Sequence, residues 1–211
     1  MSSSANPQLA RVLAQSQELG LIGPGGIQAH IDHAHGFAAA FNDRRAGEPS
    51  KVLDLGSGGG IPGLVLMDLW PDAHFGLLDG SEKRVEFLRW AIEELGATDR
   101  AQVLAGRAED LAHVSKLRGA FDLAVARSFG PPPVLAECAA GFLGPQGLLI
   151  VSEPPDEPIE HRWPIEGVAM VGFGPPVGFV GGSHYATLEL ATVCPDRFPR
   201  RVGVPGKRPL F

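Results

Sequence analysis

The stretch Lys51-Val-Leu-Asp-Leu-Gly-Ser-Gly-Gly-Gly-Ile-Pro-Gly63 decides the fold of this chain. Its apolar residues Val52, Leu53 and Leu55 predict a short strand of the buried kind found in parallel sheets. Glycines follow directly, and Pro62 stands where a helix is expected to begin, because the first turn of a helix does not use the N–H that proline lacks. The stretch therefore predicts a strand, a glycine turn and a helix in succession.

Such a unit is the nucleotide-binding half of an α/β fold, in which glycines allow close approach and a helix N-terminus supplies partial positive charge. Gly58, Gly60 and Gly63 match the G-x-G-x-x-G spacing of a dinucleotide site, which would indicate NAD. Counted from the end of the strand, however, the pattern is Asp54-x-Gly56-x-Gly58-x-Gly60. This register argues against NAD as a cofactor.

The pattern resembles motif one of the class I S-adenosylmethionine-dependent methyltransferases. In that family the acidic residue organises the loop near the methionine amino group, and the glycine turn passes close to the cofactor. The resemblance therefore implies an enzyme that binds S-adenosylmethionine, with cofactor contacts at Asp54, Gly56, Gly58 and Gly60.

Composition sets bounds on the class of protein. The 211 residues are 44% apolar and 20% charged, as in an ordinary globular protein with one substantial core. Cys138 and Cys194 lack metal-ligand spacing, and so few cysteines favour reduced thiols. Met1–Pro7 does not resemble a secretion signal, and no apolar run reaches membrane-spanning length. We expect a cytoplasmic protein with no membrane association and no obligate protein partner.

Hydrophobic periodicity predicts an α/β fold with a mostly parallel seven-stranded sheet and helices on both faces. The resemblance implies that this is the Rossmann-like fold of the class I methyltransferases. Residues 1–46 are predicted to be a helical extension, 47–196 the main domain and 197–211 a basic tail of that domain. A mobile loop is expected from Gly174 to Ser183, which is rich in glycine and proline. The strands after the first are predicted at 74–79, 101–105, 121–127, 147–151, 168–173 and 185–193.

Several side chains are predicted at the carboxyl ends of these strands, where such sheets bind ligands. Asp79 follows Gly56 at about the spacing at which nucleotide-binding folds place a carboxylate on ribose hydroxyls. The loop that contains Ala108 and Glu109 is expected to pass the adenine, and Arg127 at the end of the fourth strand is expected to meet an anion. No acid/base pair for catalysis is recognisable.

The second predicted helix contains His30, Asp32, His33 and His35, which invites a metal-site interpretation. The spacing argues against it, because these residues do not form the i, i+4 histidine pair that faces one side of a helix. We therefore predict that these histidines face solvent or substrate and that no metal is bound.

Taken together, the motifs resemble the 16S ribosomal RNA guanine-N7 methyltransferase family, also called the glucose-inhibited division protein B type. The resemblance implies methyl transfer to guanine N7 of ribosomal RNA, with the RNA or the small ribosomal subunit as partner. It also implies cofactor contacts at Gly56, Ile61, Ala108, Glu109 and Arg127. The residues that support it are Val52–Gly63, Leu78–Leu88, Arg107–Glu109, Ala126–Phe129 and Phe198–Leu210.

The chain departs from the family in its substrate-side motifs. Members carry a Lys-Gly pair at the end of the fifth strand, where this chain has Ser152-Glu153, and they carry a His-x-x-Asp-Ser sequence of which only His30 remains. The acidic residue leaves two alternatives open, because it suits an amine or cationic acceptor better than a phosphate-rich strand. One is a methyltransferase that acts on a small molecule or another RNA, and the other is a non-catalytic relative that binds S-adenosylmethionine or RNA.

Charge is distributed unevenly along the chain. The net charge of the chain is −6. Residues 197–211 hold five basic residues and no acid, so residues 1–196 carry a net charge of −11. A basic segment interrupted by three prolines predicts an extended tail that does not pack in the core and that follows an RNA backbone. The predicted phosphate contacts are Arg200, Arg201, Lys207 and Arg208.

Overall fold

Residues 6–211, which the computed structural model describes, fold around a seven-stranded sheet of order β3-β2-β1-β4-β5-β7-β6. Residues 1–5 of the predicted extension lie outside the described part. The strands are β1 (Lys51–Leu55), β2 (His74–Asp79), β3 (Ala101–Ala105), β4 (Phe121–Ala126), β5 (Leu143–Glu153), β6 (Val177–Val180) and β7 (His184–Glu189). The helices are α1 (Pro7–Glu18), α2 (Ile27–Arg44), α3 (Gly63–Leu69), α4 (Glu82–Glu94), α5 (Ala108–Leu111), α6 (Pro132–Ala140), α7 (Ile159–Arg162), α8 (Ile165–Ala169) and α9 (Val204–Lys207).

The sheet is parallel except at β7, which runs antiparallel to both β5 and β6. Strand β1 lies between β2 and β4, so the strand order reverses there and a crevice opens at the carboxyl ends. Strand β2 also pairs with β3, which brings the residues that follow β1, β2 and β3 to the same edge. The predicted Rossmann-like sheet of seven mostly parallel strands is confirmed.

The amino-terminal helices begin where the sequence predicts. Asn6 accepts a hydrogen bond from Gln8 N at 3.0 Å, and Pro7 occupies the first helical position. The buried faces of α1 and α2 pack with α3 and α4 in one apolar core on one face of the sheet. A second core on the other face includes residues of α6 and α8. The extension is therefore packed against the main domain.

Two predictions near the end of the sheet are wrong. Residues 168–173 are predicted to be a strand, but α8 occupies the first two of them and only Phe173 pairs, through an isolated bridge to Leu190. The run is short and apolar, a pattern that does not distinguish a strand from a helix segment. The missing strand is β6, which lies within the predicted mobile loop Gly174–Ser183 and pairs with β7 at the edge of the sheet.

The carboxyl-terminal tail is not the extended, unpacked segment that the sequence predicts. Phe198 and Pro205 are buried, and α9 adds a helical turn. Phe211 packs so closely against Gly167 that a side chain at that glycine would collide with its ring. Apolar residues between the cations thus fix the tail to the domain.

Within residues 6–211, no helix has both the length and the apolar character needed to cross a membrane.

Candidate functional site

The glycine loop after β1 is fixed by hydrogen bonds to β2. The N–H groups of Gly56 and Ser57 both donate to Leu78 O at 2.9 Å. The Ser57 hydroxyl donates to Asp54 O at 2.9 Å, and Gly60 N donates to Ser57 O at 2.7 Å. The loop is therefore held in a defined turn at the carboxyl edge of the sheet.

Gly58 presents bare backbone at this edge. Its φ of 56° lies in the left-handed region, which a residue with a side chain adopts only with strain. A Cβ built on Gly58 would have only Gly56 O within 4 Å, at 3.8 Å, so the space beside it is open. A ligand can approach the chain here, and a side chain would fill that space.

Asp54 is fully buried at the end of β1. Its Oδ2 accepts a hydrogen bond from Gly63 N at 3.0 Å, and the approach is so close that a side chain at position 63 would collide with that oxygen. Its Oδ1 is buried and has no hydrogen-bond partner within residues 6–211. Buried polar atoms of native proteins almost always have a partner, so this oxygen marks a place for a donor.

Burial raises the pKa of Asp54 to about 7, against the opposing effects of the Gly63 N–H and the charge of Arg127. A cationic donor at Oδ1 would favour the ionised carboxylate. The amino group of S-adenosylmethionine is such a donor, and the open backbone at Gly58 can accept the rest of a nucleotide-like ligand. The loop therefore fits that cofactor chemically.

Asp79 lies at the end of β2, as predicted, and binds the glycine loop. Its Oδ2 accepts from Gly58 N and its Oδ1 from Ser81 N, both at 2.9 Å, and Arg84 Nη1 lies 3.6 Å from Oδ2. The structure thus brings Asp79 and Gly58 into direct contact. Each carboxylate oxygen retains capacity for a further hydrogen bond.

The loop that contains Ala108 and Glu109 is predicted to pass the adenine, but the side chain of Glu109 is buried against the tail. Its Oε1 accepts from Gly203 N at 3.1 Å and lies 3.5 Å from Arg107 Nη2. Burial acts to raise the pKa of Glu109, but hydrogen bonds from its own N–H and Gly203 and the charge of Arg107 outweigh it and leave the pKa below its ordinary value. What remains at the edge is the backbone of Ala108 and Glu109 in the first turn of α5.

Ile61 has a buried side chain in the core beneath the loop and does not present it at the open edge. Gly60 and Ile61 thus shape the turn between β1 and α3. The cofactor contact predicted for these two residues would therefore use their backbone atoms only.

Arg127 follows β4 and is half-buried next to α2. Its Nη1 lies 3.4 Å from His30 Nδ1, and His30 Nε2 lies 3.1 Å from Gly23 O. A carbonyl only accepts, so Nε2 carries the proton and Nδ1 accepts from Arg127. Burial lowers the pKa of Arg127, and Asp54 opposes this shift. The sequence indicated His30 only as a solvent-facing or substrate-facing histidine, and nothing local to it revealed the contact with β4.

The four predicted RNA-binding cations of the tail differ from one another. The guanidinium of Arg200 is bonded to the buried carboxylate of Glu137 and to Arg208 O. The side chains of Arg201, Lys207 and Arg208 are exposed. These four residues therefore comprise one structural cation and three that face solvent.

His, Cys, Asp and Glu side chains within residues 6–211 form no group that would hold a metal ion.

The chain was compared with known proteins. Residues 7–157 match the family described as GidB, rRNA small subunit methyltransferase G. Ribosomal RNA small subunit methyltransferase G of Deinococcus deserti is 36% identical over 170 residues, which cover 76% of this chain and 68% of that protein. The protein of the same name from Moorella thermoacetica is 34% identical over 168 residues, which cover 76% and 70%.

Solved structures agree with the fold. The O-methyltransferase from Bacillus cereus in complex with SAH superposes with a TM-score of 0.64 at 16% identity, over 90% of this chain and 93% of that one. A putative O-methyltransferase from Klebsiella pneumoniae gives 0.61 at 17% identity, with the same two coverages. Sequence and fold together lead to one conclusion: the chain belongs to the GidB family, rRNA small subunit methyltransferase G, and is a methyltransferase.

Proposed function

We propose that this chain transfers a methyl group from S-adenosylmethionine to N7 of a guanine in the RNA of the small ribosomal subunit. Membership of the family supports the RNA substrate. The observation that carries the proposal is the unpartnered Oδ1 of Asp54 at the end of β1, four residues before the open backbone of Gly58. An unsatisfied buried oxygen destabilises the fold, and this cost is removed when a donor binds there.

In this proposal the carboxyl edge of β1, β2 and β3 holds the cofactor. Asp54 takes the cationic amino group, and the backbone of Gly56, Gly58 and Gly60 lies along the ligand. Asp79, which already orients Gly58 through its N–H, takes the ribose hydroxyls. The Ala108 N–H at the start of α5 is the candidate for the adenine edge, because the first turn of a helix leaves it without an intrahelical partner.

Methyl transfer to guanine N7 needs no acid or base from the side chains. When bound, S-adenosylmethionine supplies an electrophilic methyl group, whose transfer to N7 leaves the positive charge on the base. Guanine N7 carries a free lone pair at neutral pH, so no residue of this chain must first remove a proton. Catalysis then depends on alignment and on the electrostatics around the reacting atoms. Arg127, which His30 contacts, Asp54 and Asp79 are charged groups at this edge.

The alternative of a small amine substrate loses its main support. It rested on Glu153 in place of a cation at the end of β5, and Glu153 is bonded to Arg162 and to Trp163 Nε1. The paired carboxylate is not a free negative charge for an amine. The non-catalytic alternative is tested by the same experiment as the main proposal.

The experiment offers labelled S-adenosylmethionine with intact small subunits, with naked 16S RNA or with a metabolite extract. We expect label in the RNA of the subunits, at a site that borohydride and aniline treatment cleaves, since that treatment is specific for N7-methylated guanine. The Gly58→Val variant should transfer no label. Label in the metabolites alone, or in RNA that the treatment leaves intact, would refute guanine N7 as the acceptor.

A further inference from the structure

The carboxyl-terminal end of α1 is a turn of defined geometry. Gly20 N donates to Gln17 O and Leu21 N donates to Ser16 O, both at 2.9 Å, which are the two hydrogen bonds of a Schellman motif. Gly20 has a left-handed φ of 68°, as this ending requires. The chain turns back after the helix, and we call residues 16–22 the α1 turn.

The α1 turn contacts the glycine loop at Gly59. The hydroxyl of Ser16 is fully buried and donates to Gly59 O at 2.9 Å, across 43 positions of sequence. A Cβ built on Gly59 would collide with Ser16 Oγ, with the side chain of Ile22 and with the backbone of Leu21. Gly59 thus presents bare backbone to α1, whereas Gly58 presents it to the open space.

The same turn contacts the segment that follows β2, residues 79–83, which we call the β2 loop. Lys83 Nζ, at the start of α4, donates to Leu19 O at 2.9 Å. A cation is favourable at this place, because the last carbonyls of a helix have no intrahelical partner. Lys83 lies four residues after Asp79, the carboxylate proposed for the ribose. The α1 turn therefore contacts both loops of the proposed cofactor site.

The contact at Gly59 controls the middle of the glycine loop. Gly59 is buried, and Ser16 is the only hydrogen-bond donor to its carbonyl within residues 6–211. A buried carbonyl that loses its donor destabilises the conformation in which it is buried. The bonds from Gly56 and Ser57 to β2 hold only the start of the loop. Ser16 thus fixes the residue next to Gly58, whose open backbone is proposed to face the ligand.

We infer that the α1 turn positions the glycine loop relative to the β2 loop for S-adenosylmethionine, with Ser16 as the positioning residue and Lys83 as the second contact. The inference rests on the proposed function, because it takes these two loops to form the cofactor site. Ser16 acts through the Gly59 carbonyl and not by contact with the ligand. The amino-terminal extension, which lies outside the glycine motif, thereby becomes part of the cofactor site.

The test compares Ser16→Ala with Thr187→Val in the full chain. Each variant removes one buried hydroxyl that donates to a backbone carbonyl, and Thr187 makes its bond at 3.1 Å to Val177 O, at the other end of the sheet. We expect Ser16→Ala to weaken S-adenosylmethionine binding by about 2- to 10-fold in calorimetry, the factor that corresponds to one hydrogen bond. Thr187→Val should leave the affinity unchanged, while both variants lower the urea midpoint.

Kinetics separate a positioning role from a loss of folded enzyme. A partly unfolded variant contains fewer active molecules, so its kcat falls while its KM values stay those of the parent. Ser16→Ala should instead raise the KM for S-adenosylmethionine by the factor found in calorimetry, with kcat and the KM for small subunits unchanged. The amide resonance of Gly58 in NMR spectra should shift in Ser16→Ala and stay in place in Thr187→Val.

Two further variants act on the same contacts from the other side. Gly59 has no left-handed φ, so Gly59→Ala costs no backbone strain, but its Cβ must displace the α1 turn. We expect it to weaken S-adenosylmethionine more than Ser16→Ala does. Lys83→Met removes the donor to Leu19 O, and because this bond is exposed the loss of affinity should be below about threefold. Lys116→Met, at another exposed lysine, is its control.

Equal S-adenosylmethionine affinities for the parent, Ser16→Ala and Gly59→Ala would overturn the inference, as would an unmoved Gly58 resonance or a fall in kcat alone. The Gly58→Val variant distinguishes this failure from a failure of the proposed cofactor placement. Loss of affinity in Gly58→Val together with unchanged affinity in Ser16→Ala rejects the α1 turn alone. A parent that shows the Ser16 effect on cofactor binding but leaves ribosomal RNA unmethylated would refute the proposed function and support the inference.

Discussion

The glycine loop and the carboxyl-terminal tail each pack against a fully buried carboxylate, Asp54 of β1 and Glu137 of α6, and the two carboxylates differ in their hydrogen bonds. Glu137 of α6 accepts three hydrogen bonds from one residue of the tail, from Arg200 N at 2.7 Å, Nε at 2.8 Å and Nη2 at 2.6 Å. Asp54 accepts one, from Gly63 N, and its Oδ1 has no partner in the described chain. A buried acid with its partners in place is accommodated by the fold and becomes costly only when a partner is removed, whereas an unsatisfied one indicates a ligand site.

The two regions also meet. Glu109 lies in the first turn of α5, next to the proposed adenine contact, and its side chain accepts a hydrogen bond from Gly203 N of the tail. The tail therefore supports the cofactor edge as well as covering α6. A tail that was only a solvated RNA contact would leave this edge incomplete.

The largest effect is expected from removal of the cation in the tail. Arg200→Ala leaves Glu137 buried with one backbone hydrogen bond, and breaking a buried pair in this way costs about 3–5 kcal/mol. We expect a fall of that size in the free energy of unfolding, measured by urea denaturation.

The matched control is Arg201→Ala, one residue along the tail and exposed, which should change stability by less than about 0.5 kcal/mol. The double variant Arg200→Ala, Glu137→Met removes both charges and should recover most of the loss. If Arg200→Ala and Arg201→Ala had equal stabilities, the distinction between the two buried acids would not hold.

The next effect concerns the open loop. Gly58→Val places a branched side chain in the space beside the backbone and forces it into a left-handed conformation. Affinity for S-adenosylmethionine should fall on the order of 100-fold or more by calorimetry. Gly96→Val at the end of α4 is the control, because φ is 63° there as well and the space is also open, but the site is remote. Equal cofactor affinities for the two variants would reject the placement of the ligand.

A third prediction follows from the raised pKa of Asp54. An unfolded aspartate has a pKa of about 3.9, so between about pH 4 and pH 7 the unfolded chain releases a proton that the folded chain retains. Stability is therefore lost as pH rises through this window. From pH 5 to pH 8 the contribution is about 2–3 kcal/mol. We expect Asp54→Asn to gain that amount relative to the parent over this range, in urea titrations without cofactor, and parallel pH curves would contradict it.

The fold and the glycine loop were predictable because their signals are local. A buried strand, a turn that needs glycine and a helix start occur within thirteen residues, and the carboxyl ends of parallel strands must share an edge. The predicted positions of Asp54, Gly58 and Asp79 at that edge follow from those rules. The contact between Asp79 and Gly58 was not predicted, and it arises because β1 and β2 pair as neighbours.

The tail was not predictable because its contacts are distant in sequence. Glu137 and Arg200 are separated by 63 positions, and Glu109 and Gly203 by 94. Composition describes Arg200 and Arg201 alike as basic residues, and only the fold reveals that one is paired with a buried acid. The same reason applies to His30 and Arg127, which are 97 positions apart.

The smallest effect is expected from the exposed cations of the tail, which test whether this region also contacts RNA. Each phosphate contact on a single strand contributes about 0.7 to the slope of log affinity against log salt, because bound counterions are released. Neutralising three cations should flatten that slope by about 2 for small subunits, while stability and cofactor affinity stay unchanged. The three exchanged residues are Arg201, Lys207 and Arg208, and the control exchanges three exposed cations elsewhere, Arg11, Arg89 and Lys116. Arg200 is kept in both variants, since its loss would unfold the tail and would lower RNA affinity without any phosphate contact. Identical salt slopes for the two triple variants would limit the tail to its structural role, and the RNA phosphates would then have to be bound by another surface.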